Sequence, residues 1–167
     1  MEYTNSGDQS WLIMGFIIFG FIILLAVMRN IESRRVYKKF DNDSILLTGF
    51  GVNYFGLSSE PGKPLRSAGS LVLLKDGLYY RARILNREVF IPGDSISGLE
   101  VVDYHKGINL HQKALAVNFR NKEKGSPDRA VFRIPYPNNW ITAIRGVFIL
   151  PKEQASKEGD RNGGGAV

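Results

Sequence analysis

The chain contains no cysteine and only two histidines among its 167 residues, and these shortages exclude several kinds of chemistry. Without thiols there is no disulfide, no thiolate metal ligand, no cysteine nucleophile and no palmitoylated anchor. His105 and His111 stand six positions apart, with Asp103 near the first, and this spacing matches no standard set of metal ligands. We therefore interpret both as loop histidines and expect no metal site and no cofactor.

Catalytic motifs are also missing. Neither G-x-S-x-G nor H-E-x-x-H occurs, and neither Gly62-Lys63-Pro64 nor Lys106-Gly107 has the glycine spacing of a phosphate-binding loop. The sequence therefore predicts a protein that is not an enzyme. An enzyme with an unrecognised site remains a third hypothesis, which a deep pocket lined by titratable groups with shifted pKa values would support.

Uncharged apolar residues, by contrast, form one long run at residues 11–28, WLIMGFIIFGFIILLAVM. A helix rising 1.5 Å per residue would extend about 27 Å over this run, close to the hydrocarbon thickness of a bilayer. Trp11 begins the run, where an indole ring suits the headgroup region. The sequence predicts one transmembrane helix at 11–28, preceded by a short outer tail at 1–10.

A cleaved signal peptide is the competing interpretation of this run. Signal peptides have a basic start and small residues at the cleavage site. The ten residues before Trp11 contain Glu2 and Asp8 but no base, and the run ends in Val27 and Met28 rather than in an A-x-A-like site. We therefore favour an uncleaved anchor.

Basic residues follow the apolar run in a juxtamembrane linker at 29–43. They are Arg29, Arg34, Arg35, Lys38 and Lys39. Cytoplasmic flanks are enriched in Lys and Arg, so this asymmetry predicts a single-pass protein of the inner (cytoplasmic) membrane with an outer N-terminus and a cytoplasmic C-terminal domain. With Trp11, these bases are expected at the membrane surface, where each base gains about 1 kcal/mol near anionic lipid. They either bind lipid or only set the topology, and their spacing also suits a continuation of the helix.

From residue 44 the pattern changes to short alternating runs separated by turn residues, which predicts seven strands. The strands are expected at 45–54, 70–74, 78–83, 88–91, 96–104, 115–120 and 130–134, with long loops at 55–67 and 105–112. Trp140, Ile144 and Phe148 then recur on one face of a helix that begins at Pro137. The charged, glycine-rich residues 151–167 predict a disordered tail.

Several of these segments resemble bacterial pleckstrin-homology-like (PH-like) and GRAM-like domains. They are 69–80 (GSLVLLKDGLYY), 87–92 (REVFIP), 96–100 and the closing strand at 132–134 with its following helix. The resemblance covers residues 44–150 and implies an α+β, mainly β fold, a seven-stranded bent antiparallel barrel capped by a C-terminal helix. Lys75 stands where this pattern usually has threonine, and the loop at 55–67 is longer than is common.

The resemblance also implies a module that binds lipid headgroups or protein surfaces. It places five bases where some such domains hold anions: Lys63 and Arg66 in the first loop, and Arg81, Arg83 and Arg87 in the next hairpin. Arginine forks suit phosphate or carboxylate oxygens, although these side chains also suit an ordinary solvent-facing surface.

Two functions follow as hypotheses, an accessory subunit of a larger membrane complex and a sensor of anionic lipid headgroups. The expected partners are therefore membrane lipids and other integral-membrane subunits. Residues 40–150 hold fourteen bases against ten acids, a charge too diffuse for nucleic acid. We favour the accessory subunit, because a domain tethered this close to a membrane needs no lipid affinity for recruitment.

Overall fold

The computed structural model describes residues 6–84, 86–122 and 124–151, without the side chains of residues 6–10 and 29. Most of the predicted disordered tail, residues 152–167, lies outside the described residues, as do residues 1–5 of the predicted outer tail. The chain divides into two compact units between Lys39 and Phe40.

The first unit is one helix, α1 (Ser6–Lys39), which joins the predicted anchor to most of the predicted linker. Every side chain from residue 11 to residue 27 is exposed, with Trp11 at 72% and Phe16 at 75%. Its most apolar 18-residue window has a mean hydropathy of 2.8, so the helix is long and apolar enough to cross a membrane. An N-terminal signal sequence would meet the same criterion.

The second unit is a seven-stranded antiparallel sheet followed by a helix, so all seven predicted strands and the predicted helix are confirmed. The strands are β1 (Ile45–Leu57), β2 (Ser67–Leu74), β3 (Gly77–Ala82), β4 (Glu88–Pro92), β5 (Ile96–His105), β6 (Ile108–Arg120) and β7 (Pro127–Arg133). The helix α2 (Pro137–Ile144) continues as a wider π-helical turn at Arg145–Ile149. The strand order across the sheet is β4-β3-β2-β1-β7-β6-β5.

The predicted loop at 105–112 is wrong. β5 continues to His105 and β6 begins at Ile108, and these two residues pair across the turn. Lys106 and Gly107 both have positive φ, at 50° and 74°. This is the backbone conformation that the commonest two-residue hairpin turn requires. The loop predicted at 55–67 is also shorter, because β1 runs to Leu57.

The sheet is open, because β4 and β5 lie at its two edges and no ladder between them occurs in the described chain. We call the gap between these edge strands the seam. The structure thus confirms an antiparallel sheet with a C-terminal helix, but hydrogen bonds do not close the sheet into the predicted barrel.

The main core lies on the inner face of the sheet. Three rings contact one another there: Tyr54 lies 4.9 Å from Tyr80 and 5.1 Å from Phe132, centroid to centroid. Such aromatic pairs contribute about 0.5–1.5 kcal/mol each beyond the burial of their area. At one end of this face the C-terminal helix is packed in, with Trp140 and Ile144 buried in the same cluster.

Glycines allow this helix to lie close to the sheet. A Cβ atom on Gly93, in the corner between β4 and β5, would clash with the Phe148 ring. A Cβ atom on Gly49 would lie 3.0 Å from the Trp140 ring. We call this the helix-filled end of the seam, since apolar side chains of the chain itself occupy it.

A smaller core lies apart from the main one and involves the long β5–β6 hairpin. Phe55 packs there with Leu110, Ala114, Ala116 and Val131, and all five side chains are buried. Leu110 belongs to the part of β6 that the sequence predicted as loop. The hairpin thereby reaches the loop at 58–66, where Lys106 of its turn bonds the Glu60 carbonyl.

Candidate functional site

The loop between β1 and β2, residues 58–66, is fixed by hydrogen bonds to Asp128 of β7 and from Lys106 of the β5–β6 turn. The Asp128 carboxylate accepts bonds from the Ser59 amide at 3.0 Å and from its hydroxyl at 2.6 Å. The Lys106 ammonium donates to the Glu60 carbonyl at 2.6 Å. Burial opposes ionisation of Asp128, but the bonds from Ser59 and from the Arg129 amide outweigh it and lower the carboxyl pKa.

Arg87 pairs with Glu60 above the buried ring of Tyr54. The guanidinium donates to the Glu60 carboxylate, and its central carbon lies 4.9 Å from the centroid of the Tyr54 ring. The residues of this ion pair are 27 positions apart in sequence. Because both side chains are about 30% exposed, water screens the pair and its net contribution to stability is small.

Two buried polar atoms near this network have no hydrogen-bond partner among the described residues. They are the Tyr54 hydroxyl and Nε2 of His105. Burial, with Glu60 close by, raises the pKa of Tyr54, so the phenol is neutral. Burial also lowers the pKa of His105, and the nearby Lys106 and Arg129 cations act in the same direction.

A cleft of about 510 Å³ lies beside β4 and the end of β6, and no residue of the C-terminal helix lines it. We call it the open-end cleft. It is lined by Leu57, Glu60, Arg87, Glu88, Val89, Phe90, Pro92, Phe119, Arg120, Asn121 and Lys122. Leu57, Val89 and Phe119 belong to or pack against the main core and give the cleft an apolar floor. Its rim is polar, a combination typical of binding clefts.

Most charges on the rim are already balanced. Glu88 pairs with Arg81 at 3.3 Å, and Lys122 pairs with Asp94 at 2.7 Å across the β4–β5 corner. Arg120 is exposed and has no carboxylate partner in the described part of the chain. The cleft therefore offers one uncompensated cation beside an apolar floor.

The five bases predicted to bind anions fall into two groups. Lys63, Arg66, Arg83 and Arg87 lie on the loops at 58–66 and 83–87, which the Arg87–Glu60 pair joins. Arg81 lies on β3 and pairs with a carboxylate, as does Arg87. Arg66 donates to the Asn53 side chain at 2.9 Å, and Lys63 is exposed. The two ion pairs already occupy two of the arginines.

The same two loops also expose large aliphatic side chains. Leu65 is 66% exposed and Ile84 is 85% exposed. Exposed aliphatic residues next to bases are a feature of surfaces that dip into a lipid interface. Sequence analysis did not identify either residue.

The predicted membrane-surface residues lie on α1. Trp11, Arg34, Arg35, Lys38 and Lys39 are exposed, while the side chain of Arg29 is not among those described. The two histidines have different surroundings: His105 is buried at the hairpin and His111 is exposed on β6. The described residues hold no group of three His, Cys, Asp or Glu side chains suited to a metal.

Sequence analysis missed the residues that give the site its shape. Glu60 and Asp128 act on partners far away in the chain, so no local pattern marks them. Phe90 and Arg120 had one available signal, since each occupies a solvent-facing position in an alternating strand. Alternation shows which face a residue occupies, but it does not show which strand edge stays open.

Comparisons with known proteins add little. No protein-family model matches the chain, and no curated protein matches it either. One solved structure that matches is a chain in "The 8S snRNP Assembly Intermediate", at 11% identity and a TM-score of 0.49, covering 62% of this chain and 81% of that one. A similarity this weak identifies neither a fold family nor a function.

Proposed function

We propose that this protein is a non-enzymatic interaction module anchored in the cytoplasmic membrane by α1. In this proposal its β domain faces the cytoplasm and docks on a larger membrane complex as an accessory subunit. The apolar, fully exposed stretch of α1 and the exposed bases that follow it support the anchor and its orientation. We also propose that the domain is PH-like, which the strand order and the C-terminal helix support.

The open-end cleft is the observation that carries this proposal. Val89 in this cleft is only partly buried and Phe90 is 45% exposed, whereas Trp140 and Phe148 at the helix-filled end are buried. The cleft combines an apolar floor and a polar rim with the uncompensated Arg120 at the end of β6, and it lies beside the edge strand β4. These are features of a surface that another protein covers.

The direct test is purification of the full-length protein from its native membrane in mild detergent. We expect a particle that contains a second membrane protein in near-stoichiometric amount. An Arg120→Glu variant should lose this partner, while Lys75→Glu, on the exposed β2–β3 turn, should keep it. A purified particle that holds only this chain would overturn the proposal.

A lipid sensor is the second candidate, and the exposed Leu65 and Ile84 beside Lys63 favour it. Its test uses the full-length protein in nanodiscs of phosphatidylcholine, with or without phosphatidylglycerol. A sensor would show slower amide exchange in loops 58–66 and 83–87 only with the anionic lipid, and Lys63→Ala with Ile84→Ser would remove the effect. Equal exchange in both lipids would exclude the sensor.

Lys63 and Ile84 are better targets for this test than Arg81 and Arg87. Removing either arginine also breaks an ion pair with Glu88 or Glu60, so a loss of lipid binding would have two explanations. Lys75→Ala is the matched control, because it removes an exposed lysine from the opposite end of β2.

A further inference from the structure

We propose that the open-end cleft binds an extended peptide segment of the partner, which adds as a strand to the free edge of β4 and alternates apolar with acidic side chains. This inference rests on the proposed function and specifies the chemistry of the ligand. The backbone of β4 supports the mode of binding, and the residues around the cleft support the side-chain pattern.

The hydrogen bonds on either side of β4 show which of its backbone groups face the open edge. The Ala82 amide donates to the Arg87 carbonyl, and the Gly93 amide donates to the Asp76 carbonyl. Bonding to one neighbour alternates along an antiparallel strand. The backbone N–H and C=O groups of Val89 and Ile91 therefore face β3. Those of Phe90 face the seam, where the described chain supplies no further strand.

The opposite wall of the cleft is the end of β6. Phe119 is paired with Ile96, the first residue of β5, so β5 does not cover the residues of β6 that follow. Arg120 to Lys122 line the cleft from that side. A peptide strand in this position would lie between β4 and β6 and would continue the sheet across the seam.

The inner and outer faces of the cleft predict which side chains such a peptide strand has. On the inner face the cleft is lined by Val89, which is partly buried, and by the buried Phe119, so this face is apolar. On the outer face, Arg120 is the uncompensated charge, since Glu88 and Lys122 already pair with Arg81 and Asp94. Because side chains alternate between faces along a strand, apolar and acidic residues should alternate in the ligand.

The test uses the full-length protein in detergent and blocked synthetic peptides of about eight residues, a common strand length. The probe alternates Glu and Val. Two further forms carry N-methyl groups on all valines or on all glutamates, and a fourth peptide alternates Lys and Val. Binding is measured by fluorescence anisotropy for wild type, Arg120→Glu and the Lys75→Glu control.

We expect the Glu-Val peptide to bind, and at least one methylated form to bind about tenfold more weakly, since hydrogen bonds to the β4 edge are lost. Arg120→Glu should weaken binding, Lys75→Glu should not, and the Lys-Val peptide should bind more weakly than Glu-Val. If both methylated forms bind as tightly as the unmethylated Glu-Val peptide, the ligand is held by apolar contacts rather than as a strand, and the inference is overturned. Absence of binding, including exclusion by a second copy of this chain, would also overturn it.

The result is separable from the test of the proposed function. If a stoichiometric partner co-purifies from the membrane but no peptide binds the cleft, the accessory-subunit proposal stands and the strand-addition inference fails. If no partner co-purifies, the proposed function fails whatever the peptides do.

Discussion

The helix-filled end of the seam and the open-end cleft differ in whether the chain's own residues cover their apolar surface. At the first end, Trp140 and Phe148 of the chain's own helix pack against glycines of the sheet without room for a Cβ atom at Gly93. At the second, the same inner face ends in a cleft with a polar rim. The chain therefore covers the helix-filled end with its own apolar residues and leaves the open-end cleft accessible.

The largest effect should come from emptying the helix-filled end with Trp140→Ala. Trp140 is 5% exposed, and deleting a buried tryptophan side chain costs about 3–5 kcal/mol of unfolding free energy. Phe90→Ala in the open-end cleft should cost much less, because Phe90 is 45% exposed. Pulse proteolysis of the full-length protein in urea measures both, and equal losses would contradict the comparison.

Overfilling the same end should have the next largest effect. Gly93→Ala places a methyl group against the Phe148 ring, and overpacking of this kind costs about 1–3 kcal/mol. Gly146→Ala is the matched control, since no atom lies within 4 Å of its added Cβ and alanine favours helix over glycine. The account predicts a lower urea midpoint for Gly93→Ala only.

A smaller effect is expected at the open end, from Arg87→Gln. The variant loses the ion pair with Glu60, but both partners are partly solvated, so the loss of stability should be at most about 1 kcal/mol. Amide exchange in the loop at 58–66 should increase nonetheless, because the pair holds that loop. Unchanged exchange would show that Asp128 and Lys106 fix the loop without Arg87.

The smallest predicted effect is a pH dependence that comes from His105. Its pKa is lowered in the folded state, so the unfolded chain takes up protons first as the pH falls. The contribution of His105 to the free energy of unfolding should therefore be fully present above about pH 6.5, the pKa of an unfolded histidine, and decrease as the pH falls below it. His105→Gln should flatten this slope in urea midpoints measured between about pH 7 and 5, whereas the control His111→Asn, at the exposed histidine, should keep it.

The sequence predicted which strands and helices form more accurately than it predicted where each strand begins and ends. Alternation of apolar residues and Asp76-Gly77 located all seven strands, since both are local signals of paired backbone. The strand residues on either side of Lys106-Gly107 were missed because Lys106 is a non-glycine residue with positive φ, and His111 also has positive φ. Such conformations are not visible in an apolar pattern.

The site was less predictable than the fold for a physical reason. The sequence predicted Lys63 and Arg66 in a loop at 55–67 and Arg81, Arg83 and Arg87 in the next hairpin; in the structure four of these five bases lie on the loops at 58–66 and 83–87. It did not predict that Glu60 and Glu88 would neutralise Arg87 and Arg81, because these pairings depend on strand register and loop position. The open seam likewise depends on which strands pair, not on residue type.

The most direct test of the account is site-specific photocross-linking of the full-length protein in its native membrane. A photoreactive phenylalanine analogue replaces either Phe90, in the open-end cleft, or Tyr104, an exposed aromatic residue of β5 that is 54% exposed. The account predicts one discrete adduct with a membrane protein from position 90 and none from position 104. No adduct at position 90, or the same adducts from both positions, would contradict it.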